Sequence, residues 1–345
     1  MRHAIAVLCA VVAAEASAQM LQNMTPPQHR LVHRQILVVR VNPLGLLYDG
    51  RFMYRFRLYE SERPALRDNF IGIGIAPGAS PAFARGGLYV EVQPASFIGF
   101  WSVYEYVQYF KTFNLLQSWP SAQANFSDTA IRDLGGTNYA GGGTQWTIGM
   151  NLQGKVGVVV GRALFRLVRP DFNLRAGDTV EYDQFYDTLM PNKGWSLFGD
   201  VDVFAQLPVG LIAGVRYTLA VPFYGPQHLD PTLPGPSNAH MRMGPAVGWQ
   251  FFQRDGAAFN APTIFLLVQW WMMHRYRTGE DTSVALPCVA LAFTFNGDFL
   301  DVGAPKPATT PAPAEVAPTP VPVEVAPTPD PAAPAPAPPA ESVEQ

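Results

Sequence analysis

Two neighbouring stretches decide the fold: Leu197–Gln206, LFGDVDVFAQ, and Gly210–Val221, GLIAGVRYTLAV. In the first, Leu197, Val201, Val203 and Ala205 share one parity, and Asp200, Asp202 and Gln206 the other. In the second, Leu211, Ala213, Val215, Tyr217, Leu219 and Val221 alternate with Gly214, Arg216 and Thr218. Successive side chains of a strand point to opposite faces, so a period of two predicts strands with one apolar and one polar face. The short gap at 207–208 predicts an antiparallel hairpin. If Gln206 pairs with Gly210, Asp200 faces Arg216, an attractive cross-strand pair.

The same alternation recurs along the chain. Phe52, Tyr54, Phe56 and Leu58 oppose Arg51, Met53, Arg55 and Arg57; Leu88, Val90 and Val92 oppose Tyr89, Glu91 and Gln93. Trp146, Ile148, Met150 and Leu152 oppose Gln145, Thr147, Gly149 and Asn151. Met241, Met243, Val247, Trp249 and Phe251 oppose His240, Arg242, Gly248 and Gln250. With less regular segments added, twelve strands are expected, near 34–42, 50–60, 69–76, 86–93, 97–112, 144–153, 156–168, 195–206, 209–222, 239–252, 262–275 and 287–299. Phe97–Lys111 alternates poorly, which predicts a bulge or a strand emerging beyond a membrane.

Short turns (61–68, 94–96, 154–155, 207–208, 253–261) alternate with long loops (113–143, 169–194, 223–238). That asymmetry, with strands of about 8–14 residues rather than the 5–6 usual in a sandwich, predicts an antiparallel transmembrane β-barrel over a soluble β fold. Trp146, Trp249, Trp270, Phe251, Phe293, Phe295 and Phe299 lie on apolar faces, many near segment ends, as aromatic girdles require. Lipid tolerates no unpaired strand edge, so the sheet closes. An even strand number puts both chain ends on the periplasmic side.

The ends are different material. Residues 1–18, MRHAIAVLCAVVAAEASA, have a basic start, a short apolar run and an A-x-A site, the pattern of a cleaved secretory signal peptide. Residues 19–33 are expected to be an N-terminal periplasmic segment, and 34–299 the barrel. Residues 300–345 are expected to be a disordered Pro/Ala-rich tail in the periplasm, with EVAPTP at 315–320 repeated at 324–329. The net charge of -3 offers no basic excess for nucleic acid. Of two cysteines, Cys9 lies in the signal and Cys288 reads as a small buried residue, so no disulfide framework exists.

The chain resembles Gram-negative outer-membrane β-barrel proteins of the porin-like class over roughly 34–299. The resemblance rests on the pattern above and on Val289–Phe299, similar to the aromatic-rich closing strand of that class. It implies outer-membrane lipid and the barrel assembly machinery as partners. Phe299 is not the chain terminus, a departure from the usual assembly signal. The tail makes peptidoglycan or a periplasmic protein a further expected partner.

The polar parity collects Arg51, Arg55, Arg57, Glu91, Arg162, Arg166, Asp200, Asp202, Arg216, Arg242 and Arg275. An arginine-rich lumen favours anions, so the first expectation is a passive channel for small solutes with mild anion preference, lined by Arg55, Arg57, Glu91, Asp200, Asp202, Arg216, Arg242 and Arg275. The alternative is an anchor barrel with a plugged lumen, because small barrels are filled by side chains. The glycines at 72, 74, 149, 214, 244 and 248 fit either: they widen a passage, or let Trp271 or Tyr89 lie across it.

A third reading is a rim lipid hydrolase. His240 and His274 end adjacent strands, His228 lies in the loop above, and Ser237 or Ser283 with Asp230 or Asp281 would complete a triad. No G-x-S-x-G occurs. His29 and His33 lack the Glu of a zinc protease and read as a solvated segment. Glu181, Tyr182, Asp183, Tyr186 and Asp187 read as a solvated loop, with cation or sugar binding as the sharper option. Gly141–Gly143 lacks the Lys and helix of a phosphate loop. No enzyme activity, catalytic residue, metal or cofactor is assigned.

Overall fold

A computed structural model describes residues 26–110, 116–254 and 256–300 of the chain. The signal peptide and all but the first residue of the tail lie outside the described residues. Twelve strands form the wall: β1 (His29–Val41), β2 (Gly45–Phe56), β3 (Phe70–Ile75), β5 (Phe83–Ala95), β6 (Ile98–Tyr109), β8 (Gly141–Val156), β9 (Val159–Phe172), β12 (Trp195–Gln206), β13 (Leu211–Phe223), β14 (His240–Gln250), β15 (Asn260–Met273) and β16 (Cys288–Asp298). The two-residue β4 (Gly78–Ala79) prolongs β3 between β2 and β5. Each wall strand pairs antiparallel with its sequence neighbours, and β1 closes the ring by pairing with both β2 and β16.

Antiparallel order separates the connections. The near end holds the start of β1, the end of β16 and the turns 57–69, 96–97, 157–158, 207–210 and 251–259. The far end holds the long connections 110–140, 173–194 and 224–239. These carry β7 (Ser118–Trp119), β10 (Val180–Asp183) and β11 (Thr188–Pro191), which form a separate three-stranded sheet. Short helices α1 (Pro64–Arg67) and α2 (Asp128–Asp133) lie in the near-end turn and the first long loop.

The parity read from the sequence sets the faces. Ile73 is 59% exposed, Leu88 65% and Leu291 52%, and Trp146, Trp249 and Trp270 share this outer surface. A continuous exterior of this composition belongs in lipid. The inward parity is largely buried, Arg162, Arg216, Asp200 and Asp202 included, while Arg34, Arg51 and Arg55 at the near end are half-buried.

Three expectations are corrected. First, β1 starts at His29, not at 34, so His29 and His33 are wall residues rather than a solvated segment. His33 faces outward yet is buried: its ring stacks on Phe299 with centroids 4.5 Å apart, and Nε2 donates to the Ala258 carbonyl at 2.7 Å. The closing strand must run the full height to pair on both sides. Second, Gln206 pairs with Ile212, so Asp202 faces Arg216 and Asp200 faces Thr218. Val209 (φ 63°) and Gly210 (φ 81°) take left-handed backbone and lengthen the turn. The shift is two residues, so parity survives while the partners change. Third, β6 pairs with β8 without interruption from Ile98–Leu152 to Tyr109–Gly141. The irregularity lies in the β5–β6 register, between Val92 and Ala95.

The lumen is filled. Ile36, Val38, Leu47, Phe83, Val107, Phe172, Phe204, Ile212, Phe265 and Leu267 form one buried apolar cluster drawn from strands all round the wall. Phe204 and Phe265 meet edge to face at 5.6 Å although three strand steps separate them. Inward glycines make the room. A Cβ on Gly149 would lie 2.1 Å from the Trp101 indole, and one on Gly248 would lie 2.4 Å from the Phe265 ring. The bulky neighbours are thus Trp101 and Phe265, alongside the expected Tyr89 and Trp271, which are also inward and buried.

Candidate functional site

Alternation puts charge on the inner wall, and burial forces that charge to pair. Asp202 receives Arg162 at 3.0 Å and a two-pronged contact from Arg216 at 2.5 and 2.6 Å. Asp200 receives Arg166 at 2.5 Å and the Thr218 hydroxyl at 2.8 Å. Across the barrel, Arg85 reaches Asp49 at 2.7 Å and Glu105 at 3.5 Å. Arg242 donates to Gln269 at 3.1 Å and lies over the Trp271 ring.

The far end is capped from within. The β10–β11 hairpin and β7 share a small core with the first long loop: Ala122, Phe126, Ile131, Val180, Tyr182, Leu189 and Tyr276. The hairpin tip enters the lumen. Phe185 packs on the central apolar cluster, and Tyr186 stacks on inward Phe198. Arg40 of β1 donates to the carbonyls of Gln184 at 2.7 Å and Phe185 at 3.3 Å. His240 donates to the Tyr186 carbonyl at 2.5 Å. Arg277 forks onto Asp187, also reaching Asp128 and Asn42, and the Tyr182 hydroxyl donates to Asp187 at 2.6 Å. A cavity of about 40 Å³ remains between the tip and the wall, bordered by Phe83, Arg85, Tyr109 and Gln145. Glu181, Tyr182, Asp183 and Asp187 are therefore buried and Tyr186 is half-buried, not solvated. Among the described residues no cluster of His, Cys, Asp or Glu is arranged to hold a metal.

Two hairpin carboxyls make its seating pH-dependent. Burial pushes Asp183 up to about 6, against backbone donors at Tyr186 and Phe185 and the charges of Arg85 and Arg40. Burial, then the charge of Asp183, raises Glu181 well above the usual carboxylate range; neither Glu181 oxygen has a hydrogen-bond partner. A carboxyl whose pKa is raised in the seated state favours seating when protonated. The penalty is full above about 6 for Asp183, is relieved as pH falls toward the free value of 3.8, and is gone below it. Amides of 180–191, corrected for intrinsic exchange, should be better protected at pH 5 than at pH 7.5; equal protection would refute the assignment.

The near end is an open recess of about 80 Å³. Arg30, Arg34, Arg51 and Arg55 line it together with Asp68, Glu91 and Asp298. Arg30 pairs with Asp298 at 2.8 Å and Arg55 with Glu91 at 3.8 Å. Arg51 donates to the Tyr89 hydroxyl at 2.8 Å and lies over the Tyr89 and Trp101 rings.

Of the residues expected to line the lumen, Arg55, Glu91, Asp200, Asp202, Arg216 and Arg242 face inward. Arg57 does not: β2 ends at Phe56, and Arg57 turns to Glu60 and the Pro26 carbonyl. Arg275 lies past β15 and binds the carbonyls of Ala124 at 3.2 Å and Gln123 at 3.1 Å in the far-end cap. Both sit one or two residues beyond a strand end, where alternation no longer directs a side chain. Arg40, Asp49, Arg85, Glu105, Asp187 and Arg277 were missed; inward parity was the available signal for the first four.

His240 and His274 come together at the far rim, ring centroids 5.3 Å apart, but no triad forms around them. His274 donates to the Asp187 carbonyl at 3.0 Å and accepts from the amides of Tyr276 and Arg277. His228 bonds the Asn192 carbonyl at 2.9 Å. Asp281 caps the start of α2, and Asp230 accepts from Thr232.

No protein-family model matches the chain, and no curated protein matches it. Solved structures similar to it include CdiB from Acinetobacter baumannii (7% identity, TM-score 0.36), over 79% of this chain and 60% of that one. The chain thus spans less than two thirds of that protein. Others are the Salmonella typhi OmpF complex with daunomycin (9% identity, TM-score 0.32, 78% and 97% covered) and the translocator domain of the autotransporter NalP from Neisseria meningitidis (9%, 0.29, 83% and 95%). On its own geometry, a closed ring of twelve antiparallel strands with an apolar exterior among the described residues, the chain has the architecture of a transmembrane β-barrel.

Proposed function

We propose that this protein is a passive conduit for small solutes in the Gram-negative outer membrane, held shut at rest by its own far-end hairpin. The observation that carries the reading is the seating of Phe185 and Tyr186 inside the lumen, fixed by Arg40 and His240. Solutes passed on opening are mainly anions, because the inward Arg40, Arg51, Arg55, Arg85, Arg162, Arg166, Arg216 and Arg242 outnumber Asp49, Glu91, Glu105, Asp200 and Asp202. The signal peptide is removed on export, the assembly machinery inserts the barrel, and the tail extends into the periplasm toward peptidoglycan or a periplasmic protein.

A second reading, a permanently closed anchor barrel, is favoured by the wall side chains that fill the lumen beneath the hairpin. Single-channel recording of the full chain in planar bilayers separates the two. The conduit reading expects long closed periods, anion selectivity in a salt gradient, and a large rise in open probability for a Phe185→Ala, Tyr186→Ala double variant. An inserted double variant that stays silent establishes the anchor instead.

A further inference from the structure

Asp183 ends β10, where the hairpin tip meets the wall, and borders the cavity of about 40 Å³ between them. It is buried, and its Oδ1 accepts from the Tyr186 amide at 2.9 Å. Among the described residues no cationic side chain forms an ion pair with it. Arg85, the basic residue of the lining, is held by Asp49 at 2.7 Å and Glu105 at 3.5 Å. Burial raises the Asp183 carboxyl only to about 6, so at pH 7.5 it carries its charge. Buried charges are ordinarily paired.

Gln184, next in the chain, is buried and borders the same cavity, and neither its side-chain Oε1 nor its Nε2 has a hydrogen-bond partner. Buried amides in folded proteins are otherwise nearly always partnered. Aromatic rings complete the lining. Phe83 and Tyr109 come from the wall, centroids 5.5 Å apart, and Phe185 and Tyr186 from the tip, 4.5 Å apart. Ring faces attract cations. A carboxylate, a free amide oxygen and four rings around one small space match an alkylammonium group, whose N–H donors suit the oxygens and whose charge and CH groups suit the rings. A hard metal ion takes six or more oxygens, and no cluster among the described residues offers such a set. The space admits a few heavy atoms, since a water takes roughly 10–15 Å³ on this scale.

We propose that this cavity binds a small primary ammonium group, paired with Asp183, accepted by Gln184 Oε1 and enclosed by the four rings. Tip and wall both contribute, so the bound cation holds the hairpin in its seat. Its effect on opening rests on the conduit reading; binding does not, and a barrel that never conducts still binds it.

The test is calorimetric titration of the full chain in detergent at pH 7.5 with ethylammonium chloride. Sodium chloride at equal ionic strength and ethanol, a neutral molecule of the same size, are the comparisons. One ethylammonium per barrel should bind saturably, and neither comparison should reproduce the signal. Amides of 180–191 should exchange more slowly with ethylammonium present. Asp183→Asn should bind at least about 10-fold more weakly, the scale of one charge-assisted hydrogen bond. Gln184→Met removes an amide that has no partner in the protein to lose. It should keep the parent's gel migration and ligand-free exchange, yet bind roughly 3- to 10-fold more weakly. If Asp183→Asn unseats the hairpin before ligand is added, Gln184→Met alone carries the comparison. No saturable binding, an equal response to sodium or ethanol, or parent affinity in Gln184→Met overturns the proposal.

Discussion

Asp202→Ala should leave the barrel unable to assemble or sharply less stable, with the heat-modified gel form lost at much lower urea. Asp202 has no exposed side-chain surface and holds two arginines, one of them through both prongs. Removing it takes from Arg162 and Arg216 the buried carboxylate they share. Breaking a buried ion pair from one side costs about 3–5 kcal/mol, because the remaining charge keeps its desolvation penalty without compensation. Here two arginines lose the same buried carboxylate, so the effect should fall within that range. Domain stabilities of about 5–15 kcal/mol make such a loss visible as failed assembly. Asp202→Asn keeps one acceptor and should fall between. An Asp202→Ala barrel with the parent's urea midpoint would show that the lumen is wet and open, contrary to the packing.

The second large effect is confined to the cap. Arg277→Gln should leave the barrel's gel migration unchanged and release the hairpin. Burial opposes ionisation of Asp187, yet Arg277 and His274 beside it hold its carboxyl well below the ordinary range. Without Arg277 that carboxylate is buried with too little positive charge around it. A cost of about 3 kcal/mol at this one junction corresponds to roughly a hundredfold rise in the open hairpin population. Hydrogen exchange of amides 180–191 should accelerate by that order while β12 and β13 amides do not change. Acceleration spread evenly over the barrel would instead make Arg277 a support of the whole wall.

The faces of the wall were legible because parity is local: each strand carries its own pattern, and lipid outside leaves one parity no choice. Register was not, because it depended on whether Val209 would take left-handed backbone, which a β-branched residue seldom does. The missed Asp49 and Arg85 lie in parts of β2 and β5 beyond the predicted strand limits. Glu181 to Asp187 look identical in sequence whether they face water or a lumen; only the space left among Phe83, Phe198 and Tyr109 decides it. The near-end recess was half legible. Arg51 and Arg55 fell on the inward parity, but Arg30 was assigned to a solvated segment, and that Arg55 faces it required the β1–β2 register.

The ring is shut by its first and last strands, and that has a temporal meaning. The β1–β16 ladder, ten residue pairs from Val32–Asp298 to Val41–Val289, can form only once β16 exists, and β16 is the last strand to be synthesised. Until Cys288–Asp298 arrives, β1 offers the nascent product one bare edge and β15 another. The molecule therefore has no stable shorter version of itself. A chain interrupted anywhere before the final strand is a sheet with two adhesive margins, and the cell must hold or destroy it.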